Sequence, residues 1–279
     1  MTLRLIHMTD IHFTIEHKAA MEAATAFAHE TPHDLLVVSG DVTQRGLPCE
    51  FEAFAAWLQT APKPQIVCPG NHDTPYYNVA MRIIRPWGRY RHWIGPTQGV
   101  EHHSPGLAVR TLNTARGIQL RRNWSKGIAE LSDFEEAGAA LARAPAGALR
   151  VLVCHHPLME VLGEPITSEV RRGKQAAAIL ARHQVDLVMT GHLHVPFAVT
   201  MPVGDERTHA IGGSTLSTRE RGVPIGFNVV EAEPDLIRVR AHGWTGSAFE
   251  VVKSWSLPRR GGAGADIATP APRQAVGAG

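Results

Sequence analysis

Five short apolar runs in this chain end in the same kind of chemistry. Leu3 to Met8, Leu35 to Val38, Gln65 to Cys68, Leu149 to Cys154 and Val185 to Met189 each read as a buried strand. They run at once into Asp10-Ile11-His12, Gly40-Asp41, Gly70-Asn71-His72-Asp73, His155-His156-Pro157 and Gly191-His192-Leu193-His194. In α/β sheets, ligands bind outside the carboxyl ends of the strands, so a fold that gathers these strands gathers five stretches of metal-capable side chains into one crevice. Asp10, Asp41 and Asn71 stand 31 and then 30 residues apart, about one βαβ unit each, which predicts neighbouring strands for the first three groups.

Helical patterns fill the gaps. Ala19 to His29 and Glu50 to Leu58 carry apolar residues at three-to-four spacing, Ser132-Asp133-Phe134-Glu135 reads as a capping box opening a helix to about Arg143, and residues 174–183 complete the set. Strand alternating with helix predicts a largely parallel sheet through the first 195 residues. From Val195 to Leu257, short β-rich runs between Gly and Pro turns (Phe197 to Met201, His209 to Ile211, Phe227 to Val230, Ile237 to Ala241, Phe249 to Trp255) read as antiparallel strands. The expectation is a single domain over residues 1–257 and a flexible C-terminal tail over 258–279. The tail's five Gly, six Ala and three Pro leave too little to bury against its chain entropy.

Composition narrows the class. With 279 residues, 44% hydrophobic, 19% charged and a net charge of +2, the chain is neither a disordered polymer nor dominated by a polybasic or acidic segment. Cys49, Cys68 and Cys154 form no C-x-x-C pair, which argues against a disulfide framework and a cysteine-rich zinc site and points to a reducing, cytoplasmic setting. The N-terminus carries no signal-peptide apolar region, and no window approaches the roughly 18 apolar residues of a membrane span. A soluble protein is expected, with peripheral membrane contact left open.

Sixteen histidines stand out in this composition, and several fall in the strand-end groups. Carboxylate and amide oxygens combined with imidazoles suit Mn, Fe or Zn, whereas an all-oxygen set would suggest Mg or Ca. Asp10, His12, Asp41, Asn71, His155, His192 and His194 are too many for one tetrahedral ion. Two metals about 3.5 to 4 Å apart, bridged by a carboxylate and solvent, would use them all as a phosphoester-hydrolysing clamp. Glycines before Asp41, Asn71 and His192 allow tight turns and close backbone approach. D-x-H or Gly-Asp alone is common by chance, while Gly-Asn-His-Asp and Gly-His-x-His are more specific. The ordered set at five strand ends is poorly explained by packed or solvated histidines.

Taken in order, the blocks D-x-H, G-D, G-N-H-D, H-H-P and G-H-L-H resemble those of the calcineurin-like metallophosphoesterase superfamily, over roughly Leu3 to Thr245. The resemblance implies an α/β fold, a four-layer α/β/β/α sandwich with two mixed sheets and a dinuclear centre between them. It implies two metal ions per chain (Mn, Fe and/or Zn), one held by Asp10, His12, Asp41 and His194. The other would be held by Asp41, Asn71, His155 and His192, so that Asp41 bridges. The choice of His155 over His156 rests on the family's H-x-P form. His72, Asp41 and Asn71 are the implied catalytic residues, with His72 contacting the phosphate and protonating the leaving group. Asp73 either orients His72 or caps the following turn. Finer details resemble the bacterial branch of cyclic-nucleotide or glycerophosphodiester phosphodiesterases. That implies a phosphodiesterase cleaving a small diester by attack of a metal-activated hydroxide on phosphorus. A phosphomonoesterase or pyrophosphohydrolase acting on a nucleotide-sugar or lipid precursor is the alternative reading. The complete blocks count against a metal-bearing interaction module without turnover.

Charge is unevenly placed. Thr74 to Ala129 holds nine basic residues and one acid, Glu101, so this segment is +8 and the rest of the chain −6. Tyr76, Tyr77, Trp87, Tyr90 and Trp93 interleave with its arginines. An amphipathic helix with Ile83, Ile84 and Trp87 facing the core accounts for the pattern; base stacking, nucleic-acid tracking and contact with an anionic membrane are the functional readings. A small anionic substrate is favoured over nucleic acid, because +8 on a nearly neutral protein is modest. Ser214 to Arg221 reads either as a polar turn or as a loop whose arginines reach a phosphate across the crevice. Exposed C-terminal strands could pair across a homodimer. His17, His29, His33, His92, His102, His103 and His183 are expected to be surface or core residues.

Overall fold

The computed structural model describes residues 2–121, 123–160 and 170–260. Alternation along the apolar runs decides its layering. β1 (Leu3–Met8), β2 (Leu35–Ser39) and β3 (Gln65–Cys68) pair in parallel. Leu5, Val37 and Ile66 enter one buried cluster while Ile6, Met8, Leu36 and Val38 enter another, since successive strand side chains point to opposite faces. α1 (Lys18–Glu30) and α2 (Pro48–Thr60) cover the outer face through Met21, Ala24, Phe51 and Phe54.

The basic segment contains two short helices, α3 (Val79–Ile84) and α4 (Gly88–Trp93), and a hairpin of β4 (Glu101–Ser104) and β5 (Leu107–Thr111). β5 leads through α5 (Leu131–Ala142) to β6 (Leu149–Val153), and α6 (Gly173–Arg182) leads to β7 (Leu187–Thr190). Val151, Val153, Leu187 and Met189 meet Leu5 and Val37 in the shared core. Leu152 and Val188 pack outward under Phe134 of α5 and Leu180 of α6. Helix, sheet, sheet, helix is therefore the order of layers, as the family resemblance implies.

β8 (Phe197–Thr200) and β9 (His209–Gly212) complete this second sheet in the order β4-β5-β6-β7-β9-β8. β10 (Gly226–Ala232), β11 (Leu236–Trp244) and β12 (Phe249–Pro258) complete the first, in the order β12-β11-β10-β1-β2-β3. Both sheets are mixed. The single parallel sheet read from strand–helix alternation is thus two sheets, and β4 and β5 went unrecognised inside the basic segment. Among the C-terminal strands, β10 to β12 form the expected antiparallel meander. β9 is parallel to β7, because the chain passes to edge strand β8 and turns back in a hairpin between β8 and β7.

Other boundaries moved as well. α5 starts at Leu131 behind Glu130 with no side-chain cap, so Ser132 lies inside its first turn rather than at a capping box. At the far end, Pro258 still pairs with Leu236, and Arg260 reaches Asp205 and the Thr208 hydroxyl. The rest of the expected tail, residues 261–279, lies outside the described residues. Cys49, Cys68 and Cys154 are free thiols. No helix among the described residues is long and apolar enough to cross a membrane.

The expected amphipathic helix is inverted. Pro86 limits α3 to six residues, and Arg82 turns inward, its Nε donating to the Gly117 carbonyl at 2.6 Å and its guanidinium lying 5.4 Å from the Trp124 ring centroid. Ile83 and Ile84 face solvent at 52% and 75% exposure. Trp87 does pack against the core beside buried Tyr90, as expected. Ile84→Ser should therefore change the unfolding free energy by less than about 0.5 kcal/mol. Arg82→Leu, which strands a buried carbonyl, should cost about 1–3 kcal/mol; urea denaturation giving the opposite ranking would restore the inward-facing isoleucines.

Candidate metal centre

All five strand-end groups meet at one place. β1, β2 and β3 deliver Asp10, His12, Asp41 and Asn71 from one sheet, while β6 and β7 deliver His155, His192 and His194 from the other. The chain turns sharply as it leaves the strands: Asp10 (φ 52°), His12 (50°), Asp41 (50°), His192 (71°) and His194 (58°) all occupy the left-handed region. That conformation costs an L-residue roughly 1–2 kcal/mol, and Asp and His tolerate it better than branched side chains do. Cross-links between the turns hold it in place: Asp10 N donates to Gly40 O (3.0 Å), His12 N to Asp41 O (3.1 Å) and Gly191 N to His155 O (2.9 Å).

Each carboxylate uses one oxygen to brace the loops and leaves the other for the site. Asp10 Oδ2 accepts from Thr9 Oγ1 (2.7 Å) and from the His192 amide (2.9 Å), and Asp41 Oδ1 accepts from the His72 amide (2.8 Å). Asp10 Oδ1 lies 3.1 Å from His194 Nε2 and 4.0 Å from His155 Nε2. Asp41 Oδ2 lies 3.2 Å from His155 Nε2 and 4.0 Å from His12 Nε2. Both carboxylates thus face both groups of imidazoles. Two of the expected glycines permit this approach: a Cβ at Gly70 would collide with Asp41 Oδ1, and one at Gly191 with the side chains of Thr9 and Asp10.

The imidazoles are pre-aimed. Nδ1 of His12, His155 and His194 bonds the carbonyls of Thr43 (3.1 Å), Ser39 (2.9 Å) and Arg219 (2.8 Å). A carbonyl only accepts, so Nδ1 carries the hydrogen and the Nε2 lone pair is left pointing inward. Neighbouring His156 differs, because Nδ1 pairs with Thr114 Oγ1 and Nε2 with Ser125 O, both at 2.8 Å. Its ring braces the loop and has no nitrogen to spare.

Electrostatics and unmet bonding both suit a cation. Asp10 Oδ1, Asn71 Oδ1 and His155 Nε2 are buried without a hydrogen bond, a state that buried polar atoms rarely keep unless something else meets them. Burial opposes charge on His155, but Asp41 and Asp10 overcome it and push its pKa up to about 9, so a metal taking its Nε2 would displace a proton. The same negative field would hold a divalent ion. Burial lowers His12 to about 3, which keeps it unprotonated as a metal ligand must be. Asp10, His12 and His194 form one set with donor atoms within 4.8 Å of one another, and Asp10, Asp41 and His155 form a second.

His72 sits beside this centre, its ring centroid 4.8 Å from that of His12. Nδ1 donates to the Gln44 carbonyl (2.7 Å), and Nε2 accepts from Arg219 Nη1 (2.9 Å). Asp73 does not touch the ring. It caps its own turn through Gly70 N (2.8 Å) and ties in the Thr43 amide and hydroxyl (each 2.9 Å), and burial together with the Asp41 charge raises it to about 7. From the Ser214 to Arg221 turn, Arg219 crosses to His72, while buried Thr215 anchors the turn on the Asp10 carbonyl. Gln44 carried no sequence signal. Three histidines outside the blocks have structural partners: His17 caps α1, His29 meets the Thr60 carbonyl and His183 meets Glu135. Two cavities flank His72. One, of about 320 Å³, is lined by Asn71, Thr74, Tyr76 and Trp124 among others; the second, of about 340 Å³, is lined by Gln44, Arg45, Tyr76, Tyr77 and Arg219.

A family model described as calcineurin-like phosphoesterase matches residues 3–196, the stretch that carries every one of these ligand-capable groups. The chain belongs to this family. Calcineurin-like phosphoesterases hydrolyse phosphoesters with divalent metals, and the Asp and His clusters here suit that chemistry. A probable cyclic nucleotide phosphodiesterase of Synechococcus is 25% identical over 254 residues, covering 84% of this chain and 89% of its own. The 3′,5′-cyclic adenosine monophosphate phosphodiesterase CpdA of Escherichia coli is 24% identical over 206 residues, 69% of this chain and 70% of its own. Among solved structures, PhoD shares the fold with a TM-score of 0.69 at 11% identity, over 92% of this chain and 70% of PhoD.

His155→Ala should lower divalent metal retained after dialysis by at least about tenfold. His156→Asn, which removes a ring already bonded at both nitrogens, should retain metal as wild type does. Elemental analysis finding metal retained in His155→Ala and lost in His156→Asn would exchange their roles, and equal metal content would remove the distinction.

Proposed function

We propose that the protein is a dinuclear-metal phosphodiesterase acting on a small diester such as a cyclic nucleotide or a glycerophosphodiester. The observation that carries this reading is the pair of buried carboxylates, each within 4.0 Å of His12 from the first sheet and of His155 from the second, with three buried ligand atoms left unbonded. Asp10, His12, Asp41 and His194 would hold one ion and Asp41, Asn71, His155 and His192 the other, drawn from Mn, Fe and Zn. Bound there, the ions would supply charge stabilisation at phosphorus and a water acidic enough to react near neutral pH.

The chain's own groups do the rest. With no substrate bound, Arg219 donates to His72 Nε2. A phosphoryl group entering here offers Arg219 better acceptors, which frees the Nε2 lone pair to take a proton from solvent and pass it to the leaving alkoxide. Gln44, by holding Nδ1–H, keeps Nε2 aimed at the reacting group. Cavities on both sides of His72 suit a phosphorus bearing two substituents. Trp124, Asn123 and Ser125, which line one of them, provide an aromatic ring, an amide and a hydroxyl of the kind a nucleobase uses. A monoester would leave one cavity idle.

Metal-loaded protein should hydrolyse bis(p-nitrophenyl) phosphate faster than p-nitrophenyl phosphate. Asp41→Ala should abolish turnover and reduce bound metal. His72→Ala should keep its metal yet lose diester turnover by about 10²- to 10⁴-fold. Full activity in Asp41→Ala, or in thoroughly metal-stripped protein, would sink the mechanism, and a preference for the monoester would install the phosphomonoesterase reading instead.

A further inference from the structure

A diester phosphate carries a single negative charge, and this site holds more positive charge than that group can use. Arg219 reaches His72 from the loop between β9 and β10. Arg221, two residues on, has a buried Nη1 with no hydrogen-bond partner and lies within the field of Asp10 and Asp41. Arg45, just past Asp41, has its guanidinium 5.5 Å from the Tyr77 ring centroid. None of these three guanidiniums pairs with a carboxylate among the described residues, although Glu50 and Glu220 are near them in sequence; Glu50 accepts instead from the Arg45 backbone amide (2.9 Å). Arg45 and Arg219 line the 340 Å³ cavity with Gln44, His72, Tyr76 and Tyr77, and no acidic side chain lines it.

The other cavity is chemically different. Arg82 lines it too, but that guanidinium is already engaged by the Gly117 carbonyl and the face of Trp124. Positive charge available to a ligand is therefore concentrated on the Arg45 side of His72. Two divalent ions set against Asp10 and Asp41 would leave the centre cationic before any arginine is counted, so the scissile group does not require Arg45.

We propose that the cavity between Arg45 and Arg219 is a subsite for a second anionic group of the substrate, so that the preferred diester carries a phosphate or comparable anion beyond the one that is cleaved. The proposal rests on the phosphodiesterase reading above and deepens it. Arg45 supplies a fork of donors that no acceptor occupies among the described residues, its guanidinium lies over the Tyr77 ring, and Gln44, Tyr76 and Tyr77 complete the lining. A plain cyclic mononucleotide would leave this subsite empty.

A matched pair of substrates tests it on the full, metal-loaded chain. Thymidine 5′-(p-nitrophenyl phosphate) and its 3′-phosphorylated derivative share the scissile diester and the leaving group and differ by one phosphate. The phosphorylated compound should show a kcat/KM higher by about tenfold or more, expressed mainly in KM. Arg45→Gln should bring the ratio close to one. Independently of turnover, calorimetry should find that thymidine 3′,5′-bisphosphate binds about tenfold more tightly than thymidine 5′-phosphate, with the difference lost in Arg45→Gln. A ratio within about twofold of one in the wild type, with diester cleavage intact, overturns the subsite, as does a large ratio that survives Arg45→Gln. Failure to cleave bis(p-nitrophenyl) phosphate as well would instead overturn the phosphodiesterase reading, while the calorimetric comparison would still decide whether the cavity binds a second anion.

Discussion

Two carboxylates, Asp10 and Asp41, are buried side by side at the seam between two sheets, and the surrounding structure is arranged around that fact. Like charges removed from water repel strongly and want positive charge close by. The effect shows in their neighbours: His155 is pushed up to about 9 by the two carboxylates against the effect of its own burial, and Asp73 rises to about 7 through burial and the charge of Asp41. A site that draws protons in this way is built to hold cations. Backbone amides and Thr9 neutralise only the outer oxygen of each carboxylate, so the inner oxygens keep their full appetite for a cation.

Rigidity follows from the same need. Five ligand-capable residues sit in a left-handed backbone conformation that would relax if the turns were free. They are not free, because each turn is hydrogen-bonded to the next and the three strands beneath them are locked by apolar packing on both faces. The carbonyls of Thr43, Ser39 and Arg219 that fix the imidazole tautomers belong to these same loops and strand ends. Ring orientation, tautomer and strand position are thus one connected property. The rim differs: the basic segment supplies Trp124 and the tyrosines beside Arg45, while the β9–β10 loop both presents the Arg219 side chain and holds His194 through the Arg219 carbonyl.

Much of this was legible because it is periodic or local. The strands β1 and β3 begin and end where their apolar runs do, since a run buried on both faces has nowhere else to go. The clustering of ligand-capable types at strand ends follows from polarity alone, and Asp10, His12, Asp41, His155, His192 and His194 do come together. Other features depended on partners far along the chain. Ile83 and Ile84 lie outward because Arg82 found a carbonyl at Gly117 and a ring at Trp124, and nothing near residue 82 announces either. β4 and β5 were hidden by their histidines and arginines, which an edge hairpin carries on its open face.

By itself, then, the sequence determined which side chains gather and in what order, because apolar strands and the residues directly after them are written contiguously. The family resemblance already pointed to two sheets and to His155 over His156; the tertiary structure gives the physical basis, a His155 Nε2 without a hydrogen bond where both nitrogens of His156 are taken, and it alone decided that Arg219 reaches His72. Each of these rests on contacts between residues dozens to hundreds of positions apart, such as His155 with Ser39 and Arg219 with His72, where hydrogen-bond direction and burial are set by the packed fold and not by any neighbouring residue.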